Sequence, residues 1–296
     1  MPGPLDGVRV VDFSRVLAGP LCGRTLLELG ADVIKVEPPS ADVARFSAPA
    51  LAGMSGYYAQ QNAGKRNISI DLNKEGAREI ALRLCDQADI VVENFRAGTL
   101  DSFGLGYDVL SARNPRLIYA SITGYGQHGP WRSRSAYAPT VQAEAGFTAN
   151  SARHYGDALQ GAHTDPLSHA DVYTGLEATI AILAALHRRN ATGVGQHIDI
   201  AMAATLLSIN ERAHFDLSDD DIGDEPPVLG ATETPFFKGP DGEHFTVATN
   251  MIWTGTFPNW LRAMRRSDLA KDPRFATPSA RIQNYEALHK IIQDWI

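Results

Sequence analysis

The feature that most constrains this chain is the pattern of its opening segment. Val8 to Phe13 reads as a short buried strand, Gly19-Pro20 opens a stretch that Gly30 closes, and Ala31 to Glu37 is a second strand-like run ending at Pro38-Pro39. Proline near a helix start and glycine just past its end mark helix termini. Two strands joined by one helix run parallel, with a right-handed crossover. The spacing therefore predicts a parallel sheet with helices on its faces. Further strands are expected at Asn67 to Asp71, Ile90 to Phe95 and Leu117 to Thr123, separated by helices at Glu75 to Ala88 and Tyr107 to Arg113. That alternation is the signature of a doubly wound α/β domain.

Downstream, Asp171 to Arg189 reads as a long apolar helix with an acid at its start and bases at its end, matching the helix dipole. Gln196 to Ala201 follows as a strand and Met202 to Phe215 as another buried helix. The acidic run Ser218 to Glu225, followed by Pro226-Pro227, is the expected linker. This divides the 296 residues into a large domain at 1–217 and a smaller α+β domain at 226–296. In the smaller one, Thr234 to Thr249 predicts a hairpin around Gly239-Pro-Asp-Gly242. Tyr285, Leu288, Ile291, Ile292 and Trp295 share a helix face that stops at Ile296 with no cap. The expectation is that a return segment is missing there, or that the end packs on a partner chain.

Composition removes several function classes. A formal charge of −7, with no dense basic face beyond Arg262, Arg265 and Arg266, argues against nucleic acid as partner. No apolar run approaches the roughly 18 residues of a membrane span, and no leader pattern opens the chain, so a cytoplasmic setting is expected. Cys22 and Cys85 lie far apart in helix-like segments and read as buried thiols. The nine histidines form no HExxH pattern, so no metal site is expected.

Ligands of doubly wound sheets collect beyond the carboxyl ends of the strands. Here that points to Ser14 to Gly19, Leu72 to Lys74, Asn94 to Arg96 and the glycine-rich Gly124 to Pro130. The turn Ser14 to Pro20 has no GxGxxG, which argues against a nicotinamide cofactor and makes Glu37, a possible ribose contact, incidental. Asp171 is open to two readings. It is either an N-cap or, near the open end of the sheet, a nucleophile. Tyr137 stands out only by following the glycine loop, and His128 and His169 are secondary.

Several segments, in order, resemble the class III CoA transferases, a family that also includes α-methylacyl-CoA racemases. They are GVRVVDFSRVLAGP from Gly7, LLELGADVIKVEPP from Leu26, NAGKRNISIDL from Asn62, VVENFRAGTLDSFGLGY from Val91, ITGYGQHGP from Ile122 and DVYTGLEATIAILAALHRRNATGVGQHIDIAM from Asp171. The resemblance spans nearly the whole chain and weakens after Phe215. It implies a Rossmann-like large domain, a small domain and an interlocked homodimer. CoA would be a substrate rather than a tightly bound cofactor. By position Asp171 matches the catalytic aspartate, and Val16, Leu72, Lys74, Asn94 and Phe95 match residues along the CoA path, to which Arg96 and Tyr137 are added.

Departures shape the expectation. Ser102 stands where many relatives carry Arg, and Pro38-Pro39 replaces another basic position, so Arg45, Arg66 or Arg96 is expected to compensate. Tyr137-Ala138 stands where racemases carry His-Asp, which favours transfer from an acyl-CoA to a small carboxylic acid. The implied route passes through an aspartyl mixed anhydride and an aspartyl-CoA thioester. A racemase-type isomerase and a non-catalytic CoA-binding homologue are the alternatives.

Overall fold

The computed structural model describes residues 2–149, 167–210, 236–247 and 249–296, which fall into two units. The larger contains β1 (Arg9–Asp12), α1 (Ala18–Glu28), β2 (Asp32–Glu37), the small hairpin β3 (Ala50–Leu51) and β4 (Met54–Ser55), and α2 (Gly56–Asn62). It continues with β5 (Arg66–Ser69), α3 (Ala77–Cys85), β6 (Ile90–Glu93), α4 (Thr99–Ser102), α5 (Tyr107–Arg113) and β7 (Ile118–Thr123). Then come α6 (Ala138–Glu144), α7 (His169–Thr192), β8 (Gln196–Ala201) and α8 (Met202–Ile209).

Six strands form one sheet in the order β5-β2-β1-β6-β7-β8, and every pairing is parallel. Counted along the chain, this is the 3-2-1-4-5-6 order of dinucleotide-binding sheets. Connections leave in opposite directions from β1 and β6, which opens a crevice beyond their carboxyl ends. The central strands are apolar on both faces because both are covered. Val10, Ile90, Val92 and Ile118 pack under α1 and α7 with Cys22, Leu26, Ala178 and Ile182. Val11, Val91 and Tyr119 pack on the other face against Ala81, Leu82 and Leu110 of α3 and α5.

One close approach positions α7. A Cβ built on Gly175 would lie 2.5 Å from the Ala18 carbonyl oxygen and 3.2 Å from Leu21 Cδ2. Only glycine lets α7 lie against the first turn of α1, one turn beyond Asp171.

Three sequence expectations shift. Strand β6 ends at Glu93 rather than Phe95, because the Phe95 N–H turns back to the Glu93 carboxylate at 2.8 Å. Helix α3 starts at Ala77, after Gly76 in the left-handed region at φ 78°. Helix α7 begins at His169 with Ser168 at the N-cap, so the N-cap reading of Asp171 is corrected: it is the third residue of the helix. The linker expected at Ser218 to Pro227 lies outside the described residues, as does the helix expected beyond Asn210.

The smaller unit contains the antiparallel hairpin β9 (Phe236–Lys238) and β10 (His244–Thr246), with α9 (Phe257–Met264), α10 (Pro278–Gln283) and α11 (Tyr285–Trp295). Its core joins Phe237, Trp260, Leu261, Phe275, Leu288 and Ile292. Buried Arg281 donates to the carbonyls of Ile252 at 2.6 Å and Phe275 at 2.7 Å. Gln293 clamps Lys238 through both backbone groups at 2.8 Å. No described helix is long and apolar enough to cross a membrane.

The Gly175→Ala variant should lose roughly 1–3 kcal/mol of stability, the usual cost of overpacking against backbone that cannot yield. Urea denaturation measures this, and an unchanged midpoint would contradict the close approach.

Candidate active site

The loop between β1 and α1 is held from below by buried charge. The Asp12 carboxylate, at the end of β1, accepts from the Ser14 N–H at 2.9 Å, from the Ser14 hydroxyl and from Lys65 Nζ at 2.9 Å. Lys35 Nζ donates to the Ser14 carbonyl at 2.7 Å and pairs with Asp42 at 3.2 Å, both side chains fully buried. Asp42 in turn accepts the Val16 N–H at 3.1 Å. Burial alone would raise the Asp12 carboxyl, but Lys65, Lys35 and the Ser14 hydroxyl outweigh it and hold the group below the ordinary carboxylate range. The neighbouring Glu37 likewise faces a burial cost. Arg45, the Tyr58 hydroxyl and the Asp42 N–H overcome it and bring the group down to about 2.

This network sets an unusual turn. Val16, a β-branched residue, has φ 65°, in the left-handed region that such side chains avoid. The turn is also tied across the crevice. The Arg15 N–H donates to Asn94 Oδ1 at 2.7 Å and Asn94 Nδ2 donates to the Arg15 carbonyl at 2.8 Å.

Above the tie lies an open cleft lined by Val16, Asn94, Phe95, Arg96, Tyr137 and Asp171 from the sequence reading. Asp171 is partly exposed, and its carboxylate receives a hydrogen bond from the Ala18 N–H in the first turn of α1. Burial pushes its pKa up to about 6, and the Ala18 N–H opposes this only in part. Near neutrality the group is an ionised carboxylate on a desolvated site, a state suited to attack on a carbonyl.

Leu72 and Lys74 are not brought into this cleft. They follow β5, two strands from β1 on the same carboxyl-end edge, with Leu72 packed partly on the core and Lys74 exposed. Two of the three compensating arginines are committed elsewhere: Arg45 pairs with Glu37 at 2.8 Å and Arg66 with Asp32. Arg96 lines the cleft, bonded to the Ser135 hydroxyl. Tyr137 is 73% exposed at its rim. His128 sits on an exposed loop, and His169 stacks on Tyr173 at 5.7 Å.

Sequence reasoning missed Arg15, Arg132 and Arg134, which also line the cleft. The basic spacing Arg132-Ser-Arg134 after the glycine loop was a usable signal; Arg15 was hidden inside the first turn. Arg134 is engaged with Glu144 at 2.7 Å and stands over the rings of Tyr125 and Trp131. Among the described residues no group of His, Cys, Asp or Glu is arranged to hold a metal ion.

A family model described as CoA-transferase family III matches residues 5–296. The succinyl-CoA:mesaconate CoA-transferase of Haloarcula hispanica is 36% identical over 99% of this chain and 75% of that protein. The succinate–glutarate CoA-transferase of Agrobacterium fabrum is 34% identical over 98% of this chain and 73% of its own length. Among solved structures, a CAIB/BAIF family protein from Brucella suis is 37% identical with a TM-score of 0.82, covering 99% of this chain and 78% of that one. The chain belongs to CoA-transferase family III.

Lys35→Met, which leaves Asp42 buried without its counter-charge, should cost about 3–5 kcal/mol. It should also free the β1–α1 turn. Equilibrium denaturation of the variant checks the first, and a loss under about 1 kcal/mol would show that the pair does not organise the loop.

Proposed function

We propose that this class III CoA-transferase moves CoA from an acyl-CoA thioester to a small carboxylic acid, with Asp171 as the covalent carrier. The observation that carries the proposal is the Asp171 carboxylate in the strand-end cleft, desolvated and aimed at the N-terminus of α1. One Asp171 oxygen attacks the thioester carbonyl, the C–S bond breaks, and a mixed anhydride forms with release of CoA thiolate. The thiolate attacks the aspartyl carbonyl, which frees the donor acid and leaves an aspartyl-CoA thioester. The acceptor carboxylate attacks that thioester and expels the thiolate again, giving a second anhydride. Attack of the thiolate on the acceptor's carbonyl forms the new acyl-CoA and restores the Asp171 carboxylate.

Each carbonyl attack develops an oxyanion. In the glycine loop, the Gly126 N–H is taken by Thr123 Oγ1 and the Gln127 N–H by Asp199, each at 2.9 Å, so these two donors are engaged. The Ala18 N–H is taken by Asp171 itself, which leaves the Gly19 N–H, in the first turn of α1 and without an intrahelical acceptor, better placed to serve. The thiol end of CoA would lie along Val16 and Phe95, with the phosphates near Arg96. Leu72 and Lys74 would meet the far, nucleotide end. The names of the two CoA-transferases reported above favour dicarboxylic donors and acceptors.

An outward stripe on α7, with Leu176 and Ile180 exposed, supports the homodimer inferred from the family. The free, buried state of Cys22 and Cys85 fits a reducing, cytoplasmic setting.

Asp171→Asn should keep the fold and CoA binding while abolishing transfer, because an amide cannot form the anhydride. Hydroxylamine trapping during turnover should label Asp171 in the unsubstituted protein, and labelling elsewhere or retained transfer in the variant would reject the assignment. In the unsubstituted protein, kcat/KM should fall as pH drops through about 6, where the carboxylate becomes protonated.

The same residue predicts a stability effect of opposite sense. The folded state binds the Asp171 proton more tightly than the unfolded chain does. This group's contribution to stability is therefore lost as pH rises from the ordinary aspartate range through about 6. Asp171→Asn should therefore unfold at a higher temperature than the unsubstituted protein at pH 7 but not at pH 4, as calorimetry would record.

A further inference from the structure

Behind the β6 turn lies a second cavity, of about 540 Å³, lined by Glu93, Ser121, His197, Tyr107 and Asp101. It shares Arg96 and Arg132 with the cleft that holds Asp171. Glu93 is 5% exposed, and none of the steps above uses it. One of its oxygens accepts the Phe95 N–H at 2.8 Å. Ser121, its register partner on β7, also hydrogen-bonds the carboxylate, and Ser121 Oγ lies 2.9 Å from His197 Nε2. The His197 ring is stacked on Tyr107 at 4.9 Å and edge-on to Tyr119.

We infer that Glu93 is a positioning residue for the CoA-binding turn, holding Asn94–Phe95 in place most firmly when it is ionised. The inference rests on the proposal that CoA binds at this turn. Asn94 and Phe95 form the half of the site that ties to Arg15, and the Glu93 carboxylate is the acceptor that bends the chain out of β6 to make that turn. When ionised, Glu93 accepts from both Phe95 N–H and Ser121 O–H, and Ser121 accepts from His197 Nε2–H. When protonated, the acid donates to Ser121 Oγ, Ser121 donates to His197 Nε2 in its other neutral tautomer, and the Phe95 N–H bond loses its charge assistance. The hydrogen-bonded chain thus has two complete arrangements, one gripping the turn more tightly than the other.

The surroundings place this exchange near neutrality. Burial pushes Glu93 up to about 7 against the Ser121 and Phe95 hydrogen bonds, and the negative charges of Asp101 and Asp199 add to the rise. Asp108 of α5 and Tyr119 of β7 also face the cavity, while Arg96, His128 and Arg132 stand on the loops around it. From β1 the neighbour in the same layer is Phe13, which carries no charge. Burial holds His197 below its ordinary pKa against the pull of Asp199 and Asp101, which favours the neutral ring that serves as a relay partner.

The test uses CoA itself, titrated calorimetrically into Asp171→Asn protein and into the Asp171→Asn, Glu93→Gln double variant between pH 6 and 8. The two should bind CoA equally at pH 6, where Glu93 is largely neutral. At pH 8 the protein retaining Glu93 should bind about fivefold tighter, the difference between a charged and a neutral acceptor. Titration of the CoA phosphates is common to both and cancels. With Asp171 intact, Glu93→Gln should raise the KM for acyl-CoA at pH 8 and leave kcat within about twofold. Equal affinities at every pH, or a fall in kcat at constant KM, would overturn the inference. CoA binding by neither protein would reject the CoA reading along with it. Ser121→Ala provides a second variant: losing a donor to the ionised form should move the midpoint of the pH-dependent CoA affinity upward, and an unmoved midpoint would also count against the role.

Discussion

The site depends on two buried ion pairs beneath the β1–α1 loop, Lys35 with Asp42 and Lys65 with Asp12. Charges removed from water this completely are not a cheap source of stability, because desolvation cancels much of their attraction. Their value is geometric. Lys35 holds the Ser14 carbonyl, Asp42 the Val16 N–H and Asp12 the Ser14 N–H, so three consecutive peptide groups are fixed from below. A left-handed Val16 survives only because its surroundings over-determine it. Once that turn is set, the first N–H groups of α1 point into the crevice between β1 and β6.

The second constraint is the approach of α7. Gly175 brings it against α1, and one turn earlier Asp171 meets the Ala18 N–H. Two helix N-termini therefore converge on one carboxylate. Both dipoles favour its charge, each on the order of 0.3–1 kcal/mol at an accessible site. Burial acts the other way and wins, since the pKa is raised. The result is an anion that is oriented but incompletely stabilised, which is the state the proposed nucleophilic attack requires.

The parallel sheet and the strand-end loops that carry Val16, Asn94, Phe95 and Arg96 were legible in the sequence; the strand order was not, and Asp171 was singled out by the family resemblance. Alternation of strands and helices fixes a parallel sheet, and a parallel sheet gathers those loops on one edge. What could not be read were relations between side chains distant in sequence. Nothing local to Asn94 shows that its amide is spent on the Arg15 backbone 79 residues away. Nothing local to Glu37 marks it as the acceptor for Arg45, Tyr58 and Asn67. The N-cap reading of Asp171 failed for a related reason: Asp is a favoured cap, and only the tertiary contact with Ala18 shows that its carboxylate serves a different helix.

The arginines show how far a residue-by-residue comparison carries. Three were candidates to replace the cations missing at Ser102 and Pro38-Pro39. A guanidinium already matched by a carboxylate has little charge left for a phosphate, and that removes Arg45 and Arg66. The same criterion weakens Arg134, paired with Glu144. Among the described residues Arg96 bonds only a neutral hydroxyl and Arg132 makes no ion pair, and Arg15 stands 5.3 Å from the centre of the Phe95 ring. These three line the same cleft as Asp171. Among the described residues, guanidinium groups without a carboxylate partner thus stand on the loops that flank Asp171, where they also offset the field of its anion. A phosphate or a substrate carboxylate entering this cleft would meet, at Arg15, Arg96 and Arg132, guanidinium groups with no carboxylate partner among the described residues, which makes its recognition a matter of reach rather than exchange.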